Sequence, residues 1–211
     1  MPNLRGGAIV GVDFDNTIIC YDHLIRDIAL RRGLIDAAVA PGKTALRDAI
    51  RLLPDGENTW QKIQAEIYGP GIEGAELMAG VADFFRRCRT RGITLHVISH
   101  KTEYATFDST ETNLREAALR WMESRRLFSE SSGGLDRLQV HFAATREEKI
   151  ARVKALKCSH FIDDLIEIFE HREFPGGVEK LLFDPSARHA NSPARIFSSW
   201  HDISAYLLGA V

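Results

Sequence analysis

The sequence predicts an α/β protein built around a doubly wound parallel sheet. Apolar runs rich in β-branched residues alternate along the chain with segments whose apolar residues recur at helical spacing. Short apolar runs between turn signals are typical of strands buried on both faces, as in parallel sheets. Because ligands of such sheets bind at the carboxyl ends of the strands, any functional site is expected where these runs end.

The first predicted strand covers residues 8–12 and runs into two carboxylates, Asp13 and Asp15, with one residue between them. Side chains alternate along an extended chain, so both acids are expected on the same side. Charges at the mouth of an apolar run are costly unless a cation or hydrogen bonds neutralise them. Ordinary strand ends also carry Asp, so the rest of the chain must decide whether this pair is functional.

A long helical stretch follows the first strand. Between about Tyr21 and Met78 the pattern is helical and shows no good strand. This stretch is too long for a simple crossover, and it predicts a helical insertion at residues 20–78 that lies over the strand ends, between core segments 1–19 and 79–211. Turn signals divide it at Ala40-Pro41-Gly42, Leu53-Pro54-Asp55-Gly56 and Tyr68-Gly69-Pro70-Gly71.

The α/β alternation resumes at Ala79. The tail from Ser186 is expected to wrap the surface and end in a helix. Further strands are predicted at residues 93–98, 138–142, 159–162 and 181–183, separated by helices near 81–88, 113–127 and 147–156.

Composition limits the classes of function. The chain has 211 residues, of which 45% are hydrophobic and 27% charged, a profile typical of a soluble globular protein. A formal net charge of −2 gives no general attraction to nucleic acid or anionic membranes. The start lacks an apolar signal core, and no apolar run is long enough to span a bilayer. Three distant cysteines argue against a disulfide framework or zinc knuckle and favour the cytoplasm.

Polar groups are expected at four strand ends along one edge of the sheet. Two pairs of carboxylates there would repel each other, and Mg²⁺, which prefers oxygen ligands and phosphate, would remove the conflict. A lysine and a hydroxyl would bind the remaining phosphate oxygens, an arrangement suited to phosphoryl transfer. The groups are Asp13 with Asp15, Ser99, Lys149, and Asp163 with Asp164.

These motifs resemble those of the haloacid dehalogenase (HAD) superfamily. The segment from Asp13 to Thr17 fits its DxDxT signature, Ile98-Ser99 its second motif, Lys149 its third, and Phe161-Ile162-Asp163-Asp164 its acidic fourth. The four occur in the family's order, and the resemblance covers Ala8 to about Phe183. The predicted insertion stands where that family carries its first type of cap.

The resemblance implies catalytic roles for the first two acids. Asp13 would attack phosphorus and form an aspartyl-phosphate. Asp15 would protonate the leaving oxygen and then deprotonate the water that hydrolyses the intermediate. Dehalogenase members usually lack an acid at this second position, so Asp15 favours a phosphatase or phosphotransferase.

The resemblance also implies the ligands of metal and phosphate. Mg²⁺ would be held by Asp13, the backbone carbonyl of Asp15 and Asp164, with Asp163 as a support bonded to Lys149 or to a metal-bound water. Thr17, Ser99 and Lys149 would bind phosphoryl oxygens, and His100 could touch substrate. For the third motif Lys149 is preferred to Lys154 and Lys157 because it opens the helix after the third strand.

Three functions fit this pattern. The leading one is a Mg²⁺-dependent phosphohydrolase that cleaves a small organic phosphate monoester, its partner being a phosphorylated metabolite. A phosphotransferase or phosphomutase of the same superfamily would pass the phosphoryl group to an acceptor other than water. A non-catalytic phosphate-binding regulatory protein is the third, although decayed sites tend to lose the nucleophile or the general acid. The sequence does not indicate the oligomeric state.

Overall fold

The computed structural model describes residues 4–40, 42–107, 110–131, 134–190 and 192–209. Pro41, part of one predicted turn, lies outside these ranges. The strands are β1 (Ile9–Val12), β2 (Ile19–Cys20), β3 (Glu76–Leu77), β4 (Thr94–His100), β5 (Val140–Ala143), β6 (His160–Asp163), β7 (Glu179–Phe183) and β8 (Arg195–Phe197). The α-helices are α1 (Asp22–Arg31), α2 (Lys43–Arg51), α3 (Gly56–Tyr68), α4 (Val81–Thr90), α5 (Leu114–Ser124), α6 (Arg146–Ala155), α7 (Ile166–Glu170) and α8 (Trp200–Leu208).

Six of the strands form one parallel sheet in the order β5-β4-β1-β6-β7-β8. The predicted fold class is therefore confirmed. The chain proceeds outward from β1 to β4 and β5, and then returns through α6 to β6 on the other side of β1. Strand order reverses at β1, and such a switch point opens a crevice at the carboxyl ends of the neighbouring strands. β1, β4 and β6 thus define the edge where a ligand is expected.

The described chain divides into two compact units. The second consists of Ile19–Glu76 and Glu103–Trp121, and the first contains the six-stranded sheet. Helices α1, α2 and α3, predicted as an insertion, lie in the second unit. That unit also includes residues 103–121, which the sequence analysis assigned to the core.

Two clusters of apolar side chains bury the faces of the large sheet. On one face, Phe161 and Leu182 pack with Ile150 and Val153 of α6. Side chains alternate along a strand, so Phe183 faces the opposite side, where its ring lies 5.9 Å from that of Trp200 in α8. The indole of Trp200 also donates a 2.9 Å hydrogen bond to the carbonyl of Thr17. Packing on this second face therefore fixes the turn that follows β1.

The second unit has its own apolar core. Buried residues of α1, α2 and α3 include Ile25, Leu46 and Trp60. The ring of Tyr21 packs edge-on against Tyr68 with centroids 4.9 Å apart. These contacts bury the apolar faces that produced the helical pattern in the sequence.

Four short elements were not predicted, and one of them is the two-residue strand β2. β8 lies in the tail that was expected only to wrap the surface, so that expectation is wrong for Arg195–Phe197. β3, of two residues, falls in a stretch where no strand was expected, and α7 has only five residues. Such elements contain too few residues to show a hydrophobic period in the sequence. They are stabilised by neighbouring strands and core contacts rather than by a local pattern. Within the described ranges, no helix combines the length and apolar character that crossing a bilayer requires.

Gly11 lies at the tightest point of β1. A Cβ atom built there would be 2.7 Å from the Phe161 ring and 3.1 Å from the Cys158 sulfur. We expect Gly11→Ala to lower the free energy of unfolding by about 1–3 kcal/mol, because the Phe161 ring must leave its packed position. Urea denaturation of both proteins measures the difference. The control is Gly177→Ala, where an added Cβ meets nothing within 4 Å. Equal stability of both variants and wild type would contradict the tight packing at β1.

Candidate active site

The chain turns sharply just after β1 and leaves Asp13 at the strand end. The Asp13 amide donates to the Ile162 carbonyl at 2.8 Å, which continues the pairing with β6. The amides of Thr17 and Ile18 then both donate to the Phe14 carbonyl. Asn16 adopts a left-handed conformation with φ of 61°, which asparagine tolerates better than most residues. The turn holds the Asp13 carboxylate at the mouth of the sheet.

Lys149 lies between two buried carboxylates. Its ammonium is 2.6 Å from Asp13 Oδ1 and 2.6 Å from Asp163 Oδ2, and all three side chains are almost fully buried. Helix α6 begins after Thr145, whose side chain accepts a hydrogen bond from the Glu148 amide. This cap fixes the first turn of α6, from which Lys149 reaches the ends of β1 and β6.

The pKa values of this group follow from burial and charge. Desolvation raises the pKa of Asp13 to about 7, since it and the neighbouring carboxylates outweigh the nearby Lys149. Burial alone would lower the pKa of Lys149, but the carboxylates of Asp13 and Asp163 raise it above its ordinary value. Lys149 therefore stays charged, but its single positive charge does not balance the carboxylates around it.

Three acids lie close enough together to share a cation. Asp13, Asp163 and Asp164 each offer a carboxylate oxygen, and these oxygens all lie within 4.8 Å of one another. Buried oxygen donors of this kind fit a hard divalent cation such as Mg²⁺, which would offset the desolvation that raises the pKa of Asp13. Within the second acidic pair, Asp163 contacts Lys149 and accepts a hydrogen bond from the Leu165 amide.

Asp15 occupies a different environment. Its carboxylate is not in the three-acid cluster but forms an ion pair with Lys101 at 2.9 Å. The Asp15 side chain is 19% exposed, whereas that of Lys101 is 2% exposed. The sequence analysis did not assign a role to Lys101. The available signal was its position two residues after Ser99, which puts both on the same side of an extended chain.

The two hydroxyl groups that were predicted to bind phosphoryl oxygens are both buried. Thr17 is fully buried, and its hydroxyl donates to Asp13 Oδ2 at 3.2 Å. Ser99 is also fully buried, and among the described residues its Oγ has no hydrogen-bond partner. Buried hydroxyls usually have a partner, so an unsatisfied one at a strand end indicates a place for a ligand oxygen.

His100 is directed elsewhere. It is exposed, and its Nε2 lies 3.0 Å from the Ala144 carbonyl oxygen. Alternation along β4 places it on the side opposite to Ser99. The structure thus brings Asp13, Thr17, Lys149 and Asp163 into direct contact and adds Asp164 to the cluster, but it gives His100 no contact with these acids among the described residues.

Comparison with known proteins gives structural matches only. The sequence matches no protein-family model and no curated protein. A HAD-superfamily hydrolase from Ehrlichia chaffeensis is 15% identical over 97% of each chain, with a TM-score of 0.55. A HAD family hydrolase from Deinococcus radiodurans, solved with bound phosphate and sodium, is 14% identical over 96% of this chain and 95% of its own, with a TM-score of 0.53.

A third solved structure extends the same pattern. A haloacid dehalogenase-like hydrolase from Streptococcus pneumoniae has a TM-score of 0.59 at 13% identity, covering 94% of this chain and 97% of its own. The chain has the HAD fold. The resemblance drawn from four short motifs is thereby confirmed at the level of the fold. One further neighbour is described as a dehalogenase, so the HAD fold by itself does not select the reaction.

Lys149 is expected to be essential for the stability of the buried cluster. Lys149→Met leaves two buried carboxylates without their ammonium partner, and we expect the free energy of unfolding to fall by about 3 kcal/mol or more. Urea denaturation in a metal-free buffer measures the change.

The matched control is Lys154→Met on the same helix, where the lysine is exposed and a change within about 0.5 kcal/mol is expected. Similar stability for the two variants would show that the carboxylates do not depend on Lys149.

Proposed function

We propose that this protein is a Mg²⁺-dependent phosphohydrolase that cleaves a phosphate monoester through an aspartyl-phosphate on Asp13. The observation that carries the proposal is the difference between the two acids after β1. Asp13 is buried beside Lys149, while Asp15 is partly exposed and held away from the three-acid cluster. This difference supports Asp13 as the group that receives the phosphoryl group and Asp15 as the group that exchanges protons with leaving group and water.

The first step uses Asp13 as nucleophile. One oxygen of its carboxylate attacks phosphorus, and the bond from phosphorus to the leaving oxygen breaks as Asp15 gives that oxygen a proton. Lys149 contacts Asp13 and would neutralise charge on the phosphoryl oxygens. The Ser99 hydroxyl, which has no hydrogen-bond partner among the described residues, would donate to one of those oxygens.

The second step returns Asp13 to its starting state. Asp15, now ionised, takes a proton from a water that attacks phosphorus, and the acyl phosphate bond breaks to release inorganic phosphate. Asp13, Asp164 and the backbone carbonyl of Asp15 would hold Mg²⁺, with Asp163 supporting them through Lys149. When bound, the cation supplies positive charge that draws the phosphate and the acids together.

Two features favour a phosphoryl-transfer reaction over dehalogenation. An acid at position 15 suits proton transfer to an oxygen leaving group, which a halide does not need. The Deinococcus radiodurans neighbour was solved with phosphate, which supports a phosphate site in this fold. The preference for a small phosphorylated metabolite rests on the predicted helical insertion alone. A phosphotransferase would use the same first step and differ only in the acceptor.

Hydrolysis of p-nitrophenyl phosphate tests the proposal. We expect Mg²⁺-dependent release of nitrophenol that EDTA abolishes and Mg²⁺ restores. Asp13→Asn should lower kcat/KM at least about 10³-fold, because the amide cannot form the intermediate. The control variant Glu170→Gln, an exposed residue of α7, should retain wild-type activity.

The products separate the candidate reactions. Equal amounts of nitrophenol and inorganic phosphate indicate hydrolysis, whereas a phosphate deficit matched by a phosphorylated acceptor indicates transfer. Hydrolysis that survives Asp13→Asn would exclude the covalent mechanism. Halide release from 2-haloacids without phosphate hydrolysis would instead identify a dehalogenase.

A further inference from the structure

Lys101 holds both oxygens of the Asp15 carboxylate. Its ammonium lies 3.1 Å from Oδ1 and 2.9 Å from Oδ2. It also lies 5.6 Å from the centre of the Phe14 ring, the residue between the two acids. Lys101 therefore contacts both Phe14 and Asp15.

The backbone keeps Lys101 in place. Its amide donates to the Ala143 carbonyl at 2.9 Å, which continues the pairing of β4 with β5 one residue beyond the strand. Lysine is rarely fully buried without a partner, because its ammonium loses hydration. At 2% exposure this side chain is buried behind the more accessible Asp15. The buried Lys101 ammonium therefore supports the partly exposed Asp15 carboxylate.

None of the four sequence motifs includes Lys101. Lys149 contacts Asp13 and Asp163, so the two buried lysines contact different acids of the site. A carboxylate held at both oxygens has little rotational freedom. The direction in which Asp15 presents its oxygens is therefore set by Lys101.

We propose that Lys101 is a positioning residue that orients Asp15 for proton transfer to the leaving oxygen. This inference rests on the proposed phosphohydrolase function. If Asp15 is misoriented, the reaction rate should fall most for a leaving group that needs a proton. It should fall least for a leaving group that departs as a stable anion. General acids contribute about 10²–10⁴-fold where a proton is needed. Loss of orientation should therefore appear as a stronger dependence of rate on the leaving group.

The experiment compares leaving groups in the holoenzyme with Mg²⁺. kcat/KM is measured for p-nitrophenyl phosphate and for an unactivated alkyl phosphate such as glycerol phosphate, in wild type and Lys101→Met. We expect the loss with the alkyl phosphate to exceed the loss with the aryl phosphate by about tenfold or more. The change should lie in kcat rather than in KM.

Two further variants make the comparison specific. Asp15→Asn should show the same selective loss, and the double variant Lys101→Met/Asp15→Asn should be no slower than Asp15→Asn alone, because both changes remove one function. Lys180→Met is the matched control. It removes a half-buried lysine that donates to the Phe169 carbonyl, and it should affect both substrates equally.

Thermal unfolding gives a readout apart from activity. If the two side chains form one unit, the shifts in Tm of Lys101→Met and Asp15→Asn should not add in the double variant.

Several results would overturn the inference. Equal losses with both substrates would make Lys101 merely structural, and a change confined to KM would make it a substrate-binding residue. Additive effects of the two substitutions would show that Lys101 does not act through Asp15. Absence of phosphate hydrolysis by wild type would overturn the proposed function itself, and the inference with it, whereas the other outcomes leave that function intact.

Discussion

The contact of Lys149 with Asp13 and Asp163 is the interaction on which the candidate site depends. Two carboxylates at the ends of neighbouring strands lie out of water, where their mutual repulsion is strong. One ammonium 2.6 Å from each links them. A buried charge that loses its partner costs several kcal/mol, so the fold tolerates these acids only with this lysine in place. The remaining shortage of positive charge is what makes the three-acid cluster suited to a cation.

That contact depends in turn on the packing of α6 against the sheet. Ile150 and Val153 lie in the same apolar cluster as Phe161, whose ring closely approaches Gly11 of β1. A larger residue in β1 would displace that ring and the cluster around it. The chain returns through α6 from β5 to β6, so one crossover both closes the core and delivers the lysine. The geometry of the candidate site therefore depends on the packing of the core.

The sequence predicts the parts of this structure that depend on local pattern. Five core strands and the helices between them follow from apolar periodicity, and four polar motifs follow from where those strands end.

The partner of each side chain is less predictable. Lysines after strands are usually solvated, so the burial of Lys101 against Asp15 becomes visible only when β4 and β1 lie side by side. The helix predicted near residues 113–127 follows from apolar spacing, but periodicity does not tell which unit a helix joins, and α5 up to Trp121 belongs to the second unit. β8 is three residues long and exists through its pairing with β7.

The difference between Asp13 and Asp15 arises from a turn of only a few residues. Phe14 is fully buried, and its ring anchors the chain between them. The Asp13 amide still pairs with β6, which draws its carboxylate inward to Lys149. Beyond Phe14 the chain bends back on itself, and Asp15 is left partly exposed against Lys101. Two identical side chains thus acquire different surroundings, as the proposed division of roles between a nucleophile and a proton-transfer group requires. Since the anchors are a buried ring and two buried lysines, the difference between the two carboxylates is built into the packing of the sheet.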